Sequence, residues 1–469
     1  MNIIYKTIKT KRNYYVYDRN KNSIIRISKN EYDELNSLED KPEEISKSEI
    51  VRKFQNEGFL LESQLKYIEN PMSIYKEHII RHHRDQLILQ VTQRCNLRCE
   101  YCIYSEKGEY HNRTHSNKDM STEIAEKSID DYLEASIESP ERVVAFYGGE
   151  PLLKIDLIKH CVEYVKKRNF GKPIRFVMTS NGTLLTLEIA KFLYENNFQL
   201  LISLDGSRDA HNEYRKFANG TGSFDTIMKN LSVIKQELPE FYKTINFNTV
   251  LNPKHNYEKI KAYFEQDELV ADATVMHSLV EENDDGTNIN FSDIFYKIRQ
   301  YDYFIMLLYM LRQIDYSCVS KFVRAAQVSI IRRYEQVTKG GGIGETNHPS
   351  GPCFPGGRRT FVNVYGDIYP CEKVSETCPD VKLGNIDTGI DLKKVDKLLN
   401  IGKITEAECK KCWAFLLCDM CCKKAEDGVR LCAKAKLKHC ADTRYRAYLD
   451  LKEICILNEY GCKFELEEV

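Results

Sequence analysis

The sequence predicts an α/β protein built on a partial (β/α)6 barrel, with a small N-terminal unit before it and a cysteine-rich region after it. Three observations carry this. Between residues 86 and about 280, apolar runs of strand length alternate with amphipathic helical stretches. Before residue 80, two β-rich runs flank a polar turn and lead into helices. Beyond residue 348, cysteines crowd into an irregular segment.

The chain of 469 residues is long enough for several domains. Residues 1–80 read as one small unit. In NYYVYDRNKNSIIRIS, Asp18-Arg19-Asn20-Lys21-Asn22 separates two β-rich runs, which is a hairpin signal. Helices are expected over KNEYDELNSL and SKSEIVRKFQNEGFLL, the second opened by a Ser46–Glu49 capping box. Strands are expected at 87–92, 142–148, 174–180, 199–205, 244–250 and 273–279, with helices such as TEIAEKSIDDYLEASI and LEIAKFLYENN between them. Strands alternating with helices imply a parallel sheet with right-handed crossovers, and so a functional site at the strands' C-terminal ends. The barrel takes residues 86–290. Residues 291–348 form a helical bridging region ending in the connector GGGIG, 349–445 the cysteine-rich domain, and 446–469 a C-terminal helix.

Lys plus Arg is 68 and Asp plus Glu 69, a balance that gives no case for nucleic-acid or membrane binding. The start lacks a signal peptide's apolar core, and the longest apolar run, FIMLLYML, is far short of a membrane span. A cytoplasmic protein is expected. Seventeen cysteines are then anomalous, because disulfides are disfavoured there and close-spaced thiols point to metal. Cys161 and Cys318 stand alone in helical patterns and suit buried structural thiols, unlike the groups at 95–102 and 409–422.

Cys95, Cys99 and Cys102 follow the first barrel strand as C-x3-C-x2-C. Three thiolates at this spacing suit three corners of an iron–sulfur cubane and leave one iron open; the alternative is a zinc site one ligand short. Gly148-Gly149-Glu150-Pro151 ends the second strand, Ser180-Asn181-Gly182 the third, and Ser203-Leu204-Asp205-Gly206 the fourth. Two glycines allow a ligand close to the backbone, and Glu150 can accept from an ammonium. In the C-terminal region, Cys353 precedes Gly366 and Cys371, followed by Cys409, Cys412, Cys418 and Cys422 as C-x2-C-x5-C-x3-C, and then Cys440.

The first motif resembles the signature of the radical S-adenosylmethionine (AdoMet) superfamily. The resemblance implies that AdoMet chelates the open iron and is cleaved to a 5′-deoxyadenosyl radical. By the same likeness, Gly148, Gly149 and Glu150 contact the methionine amine, and Ser180, Asn181 and Asp205 lie among the cofactor contacts. Ser203 and Arg215 resemble the residues touching ribose and carboxylate, and Tyr104 the adenine-contacting aromatic. The later cysteines are similar to a SPASM domain with two auxiliary [4Fe–4S] clusters. That topology assigns Cys409, Cys412, Cys418 and Cys440 to one cluster, and Cys353, Cys371 and Cys422 to the other. The latter has three ligands by motif, hence an open iron unless Cys378 completes it; Cys421, Cys432, Cys455 and Cys462 fall outside the motif.

Residues 1–80 look like the winged-helix leader-recognition element of peptide-modifying enzymes, which bind a leader by adding a strand to a sheet edge; a structural cap on the barrel is the alternative. The combination is most similar to sactipeptide and ranthipeptide synthases, which form cysteine thioethers in ribosomally made, cysteine-rich peptides. The resemblance implies a leader-bearing peptide partner and an external electron donor such as flavodoxin or ferredoxin. A core cysteine thiolate would sit on or beside the open auxiliary iron while hydrogen is taken from an acceptor carbon. Formylglycine formation of the anaerobic sulfatase-maturating type, carbon–carbon crosslinking, and a non-catalytic iron–sulfur scaffold are the alternatives.

Overall fold

The computed structural model describes residues 3–39, 41–102, 104, 115–252, 255–280, 291–349, 351 and 353–466. Strands β1 (Tyr5–Lys9), β2 (Tyr14–Asp18) and β3 (Ser23–Ile27) form an antiparallel sheet in the order β1-β2-β3. The predicted hairpin is β2–β3, with Asp18 opposite Ser23. Helices Lys29–Leu38 and Glu49–Asn56 pack Leu35, Leu38, Val51 and Phe54 onto this sheet with Ile3, Tyr5 and Val16.

The expected Ser46–Glu49 capping box does not form. Pro42, with its fixed φ, starts a one-turn helix Pro42–Ile45, and Ser46 is spent as that helix's C-cap. Ser48 caps the following helix instead, accepting from Val51 N. A complete capping box does occur at Ser28 and Glu31, ahead of Lys29–Leu38.

The two edges of this sheet differ. Thr7 N on β1 turns outward and donates to Glu39 Oε1 at 2.5 Å. Its partner Val16 therefore directs its main-chain groups to Ile25 on β3, because pairing alternates along an antiparallel strand. Ile24 and Arg26 must then present their N–H groups on the outer edge of β3, where no further strand pairs among the described residues.

The two-residue strand β4 (Tyr67–Ile68) leads to the barrel. Its strands are β5 (Gln86–Thr92), β6 (Arg142–Gly148), β7 (Ile174–Ser180), β8 (Phe198–Ser203), β9 (Asn246–Leu251) and β10 (Val275–Leu279). They are parallel and sequentially adjacent, and their outer helices bury Ile129, Ile158, Val162, Leu193 and Leu231 against the sheet. Phe146, Phe176 and Phe198 stack across three neighbouring strands with ring centroids 5.3–6.3 Å apart.

Strand β11 (Thr346–Asn347) pairs with β4. Strands β12 (Thr360–Val362), β13 (Asp367–Tyr369), β14 (Gly384–Asn385) and β15 (Gly389–Ile390) then extend the barrel sheet beyond β5 to ten strands, β12 lying parallel to β5. Gln90 on β5 fastens this extension, donating to Glu376 at 2.9 Å and accepting from Val364 N at 3.1 Å. The last helix runs Cys440–Glu459, so Cys440 is its first residue. The N-terminal unit packs on it and on the helices Asp293–Met310 and Arg324–Thr338: Ile8, Tyr15 and Tyr17 share one core with Met306, Ile330, Leu417 and Leu451. Among the described residues no helix is long and apolar enough to cross a membrane.

Candidate functional site

Cys95, Cys99 and Cys102 lie on the loop leaving β5, beyond a register shift between Gln90 and Thr92. Two neighbouring segments fix the loop. Arg98 N and Glu100 N donate to Lys216 O and Tyr214 O at 2.8 and 3.1 Å, and Ala218 N to Asn96 O at 3.2 Å. Asn96 also accepts from Asn181 Nδ2 and donates to Thr183 Oγ1, both at 2.8 Å, which ties the loop to the end of β7. Sequence reasoning passed over Asn96, whose signal was only its place inside the motif.

The three thiols are neighbours: Cys99 and Cys102 both raise the Cys95 thiol, and Cys102 raises that of Cys99. Burial pushes Cys95 up to about 12 and Cys99 to about 11; the Arg215 guanidinium opposes the rise at Cys99. Such thiols stay protonated without a strong cation, and iron supplies that charge, so the donor set fits a thiolate-ligated cluster. A cavity of about 350 Å3 opens beside them, lined by Arg94, Cys95, Asn96, Arg98, His115 and Ser116 among others. That volume is in the range of small-molecule sites. Among the described residues, no three His, Cys, Asp or Glu side chains are arranged to hold a single metal ion.

The glycines at the end of β6 meet the chain's own backbone. A Cβ on Gly148 would lie 2.2 Å from Thr92 O, and one on Gly149 2.2 Å from Arg94 O. Gly149 N and Glu150 N donate to these same carbonyls at 2.9 and 2.8 Å. The glycines thus let β6's end seat directly against the start of the cysteine loop, a closer role than the expected ligand approach. Glu150 is buried, accepting from Ser180 Oγ at 2.8 Å, Asn181 N at 2.7 Å and Leu152 N at 3.0 Å. Burial raises its pKa against those bonds. The carboxylate therefore staples β6's end to β7's end beside Cys95.

Asp205 is fully enclosed. It accepts from Arg215 Nε at 2.9 Å, Val250 N at 3.0 Å and the Tyr101 hydroxyl. Its pKa is lowered despite burial, chiefly by Arg215. The Arg215 guanidinium stands 5.4 Å from the Tyr101 ring centroid. Asp205 thus reaches the site through Arg215 and Tyr101, the latter lying within the cysteine motif and also passed over. Ser203 is half-buried at the end of β8. Tyr104 is buried with its hydroxyl 2.8 Å from that of Tyr147.

Removing one partner of a buried ion pair strands the other charge. Asp205→Ala should therefore destabilise the fold by about 3–5 kcal/mol, read as a lowered urea midpoint. Asp225→Ala, at the exposed Arg208–Asp225 pair, should leave that midpoint close to the parent's.

The C-terminal thiols fall into two groups. Cys409, Cys412, Cys418 and Cys440 influence one another electrostatically. In the other group Cys353 and Cys371 lie together, as do Cys371 and Cys422, and Cys421 joins them. The side chains of Cys421 and Cys422 are hydrogen-bonded to each other, and burial with that bond raises the Cys422 thiol. Cys421, set outside the motif by sequence reasoning, thus stands beside all three members of the set expected to leave an iron open. Cys378 is buried in the barrel core and faces Glu426. Of the rest, Cys161, Cys455 and Cys462 are buried in apolar cores, Cys318 is exposed, and Cys432 caps the helix Ala433–Lys438.

Residues 89–266 match the model of the Radical SAM superfamily. The serine-type anaerobic sulfatase-maturating enzyme of Bacteroides thetaiotaomicron is 26% identical over 70% of this chain and 80% of its own length. The cysteine-type enzyme of Clostridium perfringens is 28% identical over 73% and 89%. Among solved structures, native anSMEcpe with bound AdoMet has a TM-score of 0.58 at 21% identity, covering 80% of this chain and 99% of that one; this likeness speaks for the fold. The same enzyme has been solved with AdoMet and the Kp18Cys peptide, at a TM-score of 0.56. With its cysteine loop leaving the first barrel strand and the family match spanning residues 89–266, the barrel of this chain is a radical SAM domain.

Proposed function

We propose that the protein is a radical AdoMet maturase that joins a cysteine sulfur to a carbon of another residue in a ribosomally made, cysteine-rich peptide. The observation that carries the peptide part is the N-terminal sheet: Glu39 closes the edge at β1, while β3 leaves Ile24 and Arg26 N–H groups facing outward. An extended leader would pair there as a fourth strand. The relatives support a protein or peptide substrate, since the sulfatase-maturating enzymes modify proteins by name and anSMEcpe binds a peptide.

When bound, the cluster and AdoMet supply a carbon radical that removes hydrogen from the substrate. The chain's own residues hold and orient. Cys95, Cys99 and Cys102 ligate the cluster. Gly148, Gly149, Ser180, Asn181, Ser203 and Arg215 line the strand ends facing the cofactor, with Tyr104 beside its base. Glu150 and Asp205 fix those elements from behind. Cys409, Cys412, Cys418 and Cys440 hold one auxiliary cluster, and Cys353, Cys371 and Cys422 the other, three clusters in all. Cys421 offers the fourth ligand that the motif lacks, and the substrate cysteine then sits beside that cluster instead of on it. An external donor such as flavodoxin or ferredoxin supplies the reducing electron.

The relatives favour a second reading, formylglycine formation. Mass spectrometry of a cysteine-rich peptide encoded beside the gene, after anaerobic reaction, separates the two. Thioether formation gives loss of two hydrogens and a cysteine that resists alkylation. Formylglycine gives loss of sulfur and an aldehyde that reacts with hydrazides, and this result would replace the thioether reading.

A further inference from the structure

The β2–β3 turn does not end in solvent. Arg19 at its tip is fully buried, although it lies in a surface hairpin of a separate unit. Its Nη1 donates to Lys410 O at 2.6 Å, inside the Cys409–Cys412 loop, and its Nη2 to Ser63. Its buried Nε has no hydrogen-bond partner among the described residues. Cys412 is the first of the charged groups acting on it. Tyr17, two residues earlier, packs edge-on against Trp413 at 6.3 Å.

A second buried cation approaches from the opposite side of the sequence. Lys436 is 2% exposed. Its Nζ donates to Thr405 Oγ1 at 2.8 Å and Ile401 O at 3.2 Å, and stands 3.6 Å from Cys409 Sγ. Among the described residues neither cation is hydrogen-bonded to a carboxylate; the buried Asp18 acts on Arg19 only after Cys412 and Tyr17 and spends its oxygens on Asn20 N, Lys21 N and Leu60 N. Two buried cations with no carboxylate bonded to them are costly unless an anion lies between them. Four thiolates around a cluster are such an anion.

We propose that Arg19 and Lys436 are the charge-compensating partners of the auxiliary cluster on Cys409, Cys412, Cys418 and Cys440, so that the tip of the peptide-docking unit forms part of that cluster's pocket. The inference rests on reading those four cysteines as cluster ligands. Two nearby positive charges favour the reduced cluster, which carries one more negative charge. They raise its potential and suit it to accept the one electron left over when a thiolate sulfur bonds to a carbon radical.

The test is an EPR-monitored redox titration of the reconstituted holoprotein carrying Arg19→Gln or Lys436→Gln, with iron counted for each. One of the three clusters should become harder to reduce by about tenfold at fixed potential, roughly 59 mV for one electron. The other two should not move. Arg19→Lys and Lys436→Arg, which keep the charge, should restore the parent value. If a neutral variant instead loses about four irons per chain, restoration by the charged variant supports the proposal and failure to restore overturns it. Unchanged potentials at full iron content overturn it too. Failure of the underlying reading looks different: Cys412→Ala would then leave iron content and the EPR spectrum untouched.

Discussion

Cys95→Ala should lower iron by about four per chain and remove 5′-deoxyadenosine production altogether. The loop geometry makes this the largest effect expected of any single substitution. Cys95 lines the cavity, and its backbone N lies 3.0 Å from where a Cβ on Gly149 would sit. Removing it leaves two ligands, too few to hold three corners of a cubane. The long 3.4 Å bond from Leu97 N to the sulfur is lost, but Asn96, Arg98 and Glu100 secure the loop through groups other than the sulfur. Circular dichroism should therefore match the parent while the cluster's absorbance falls. Cys161→Ala is the control: this thiol is also buried, yet it packs in the barrel core behind the sheet and should leave cofactor cleavage intact. Deoxyadenosine at the parent rate from the Cys95 variant would end the radical assignment.

A large loss is also expected from Cys421→Ser, seen in one auxiliary cluster. With Cys421 as fourth ligand, the parent's cluster is closed, and an added small thiol should leave its EPR spectrum unchanged. In the serine variant the thiol should perturb that spectrum. Perturbation of the parent itself would restore the open iron and return the substrate cysteine to it.

The barrel was legible because its signals are local. Runs such as RVVAFYG and IRFVMTS combine β-branched and aromatic residues over strand length, and both strands fall at the expected residues. The cysteine triads were legible for the same reason, since ligand spacing lies along the chain. What escaped depends on pairing between distant segments. Cys421 reads as a leftover beside Cys422, and only folding places it with Cys353 and Cys371. Lys436 and Arg19 look like ordinary surface charges until the hairpin turn meets the Cys409–Cys412 loop. The Ser46 cap failed locally: the proline four residues earlier started a competing turn. Likewise Gly148 and Gly149 signalled a close approach, but that Thr92 and Arg94 of the neighbouring strand end come so near them depends on the fold.

Arg26→Pro should weaken binding of the precursor peptide by tenfold or more while leaving iron content and peptide-independent AdoMet cleavage unchanged. Deleting residues 1–80 is not a clean test, because it would also strip Arg19 and Tyr17 from the C-terminal core. A single proline on the outer edge avoids this. Arg26 is exposed, and its N–H points away from β2, so the existing ladder keeps its bonds. Proline is tolerated on edge strands for that reason. An incoming strand loses one main-chain hydrogen bond, worth about 1 kcal/mol, and meets a ring where it must lie closest. Together these reach the roughly 1.4 kcal/mol of a tenfold change. Lys9→Pro, on the β1 edge beside the Glu39 closure, should leave affinity unaltered. Calorimetry with the full peptide reads both variants. Equal affinity for the Arg26 variant and the parent would remove strand addition at β3 and leave the N-terminal unit as a cap that holds Arg19 in place.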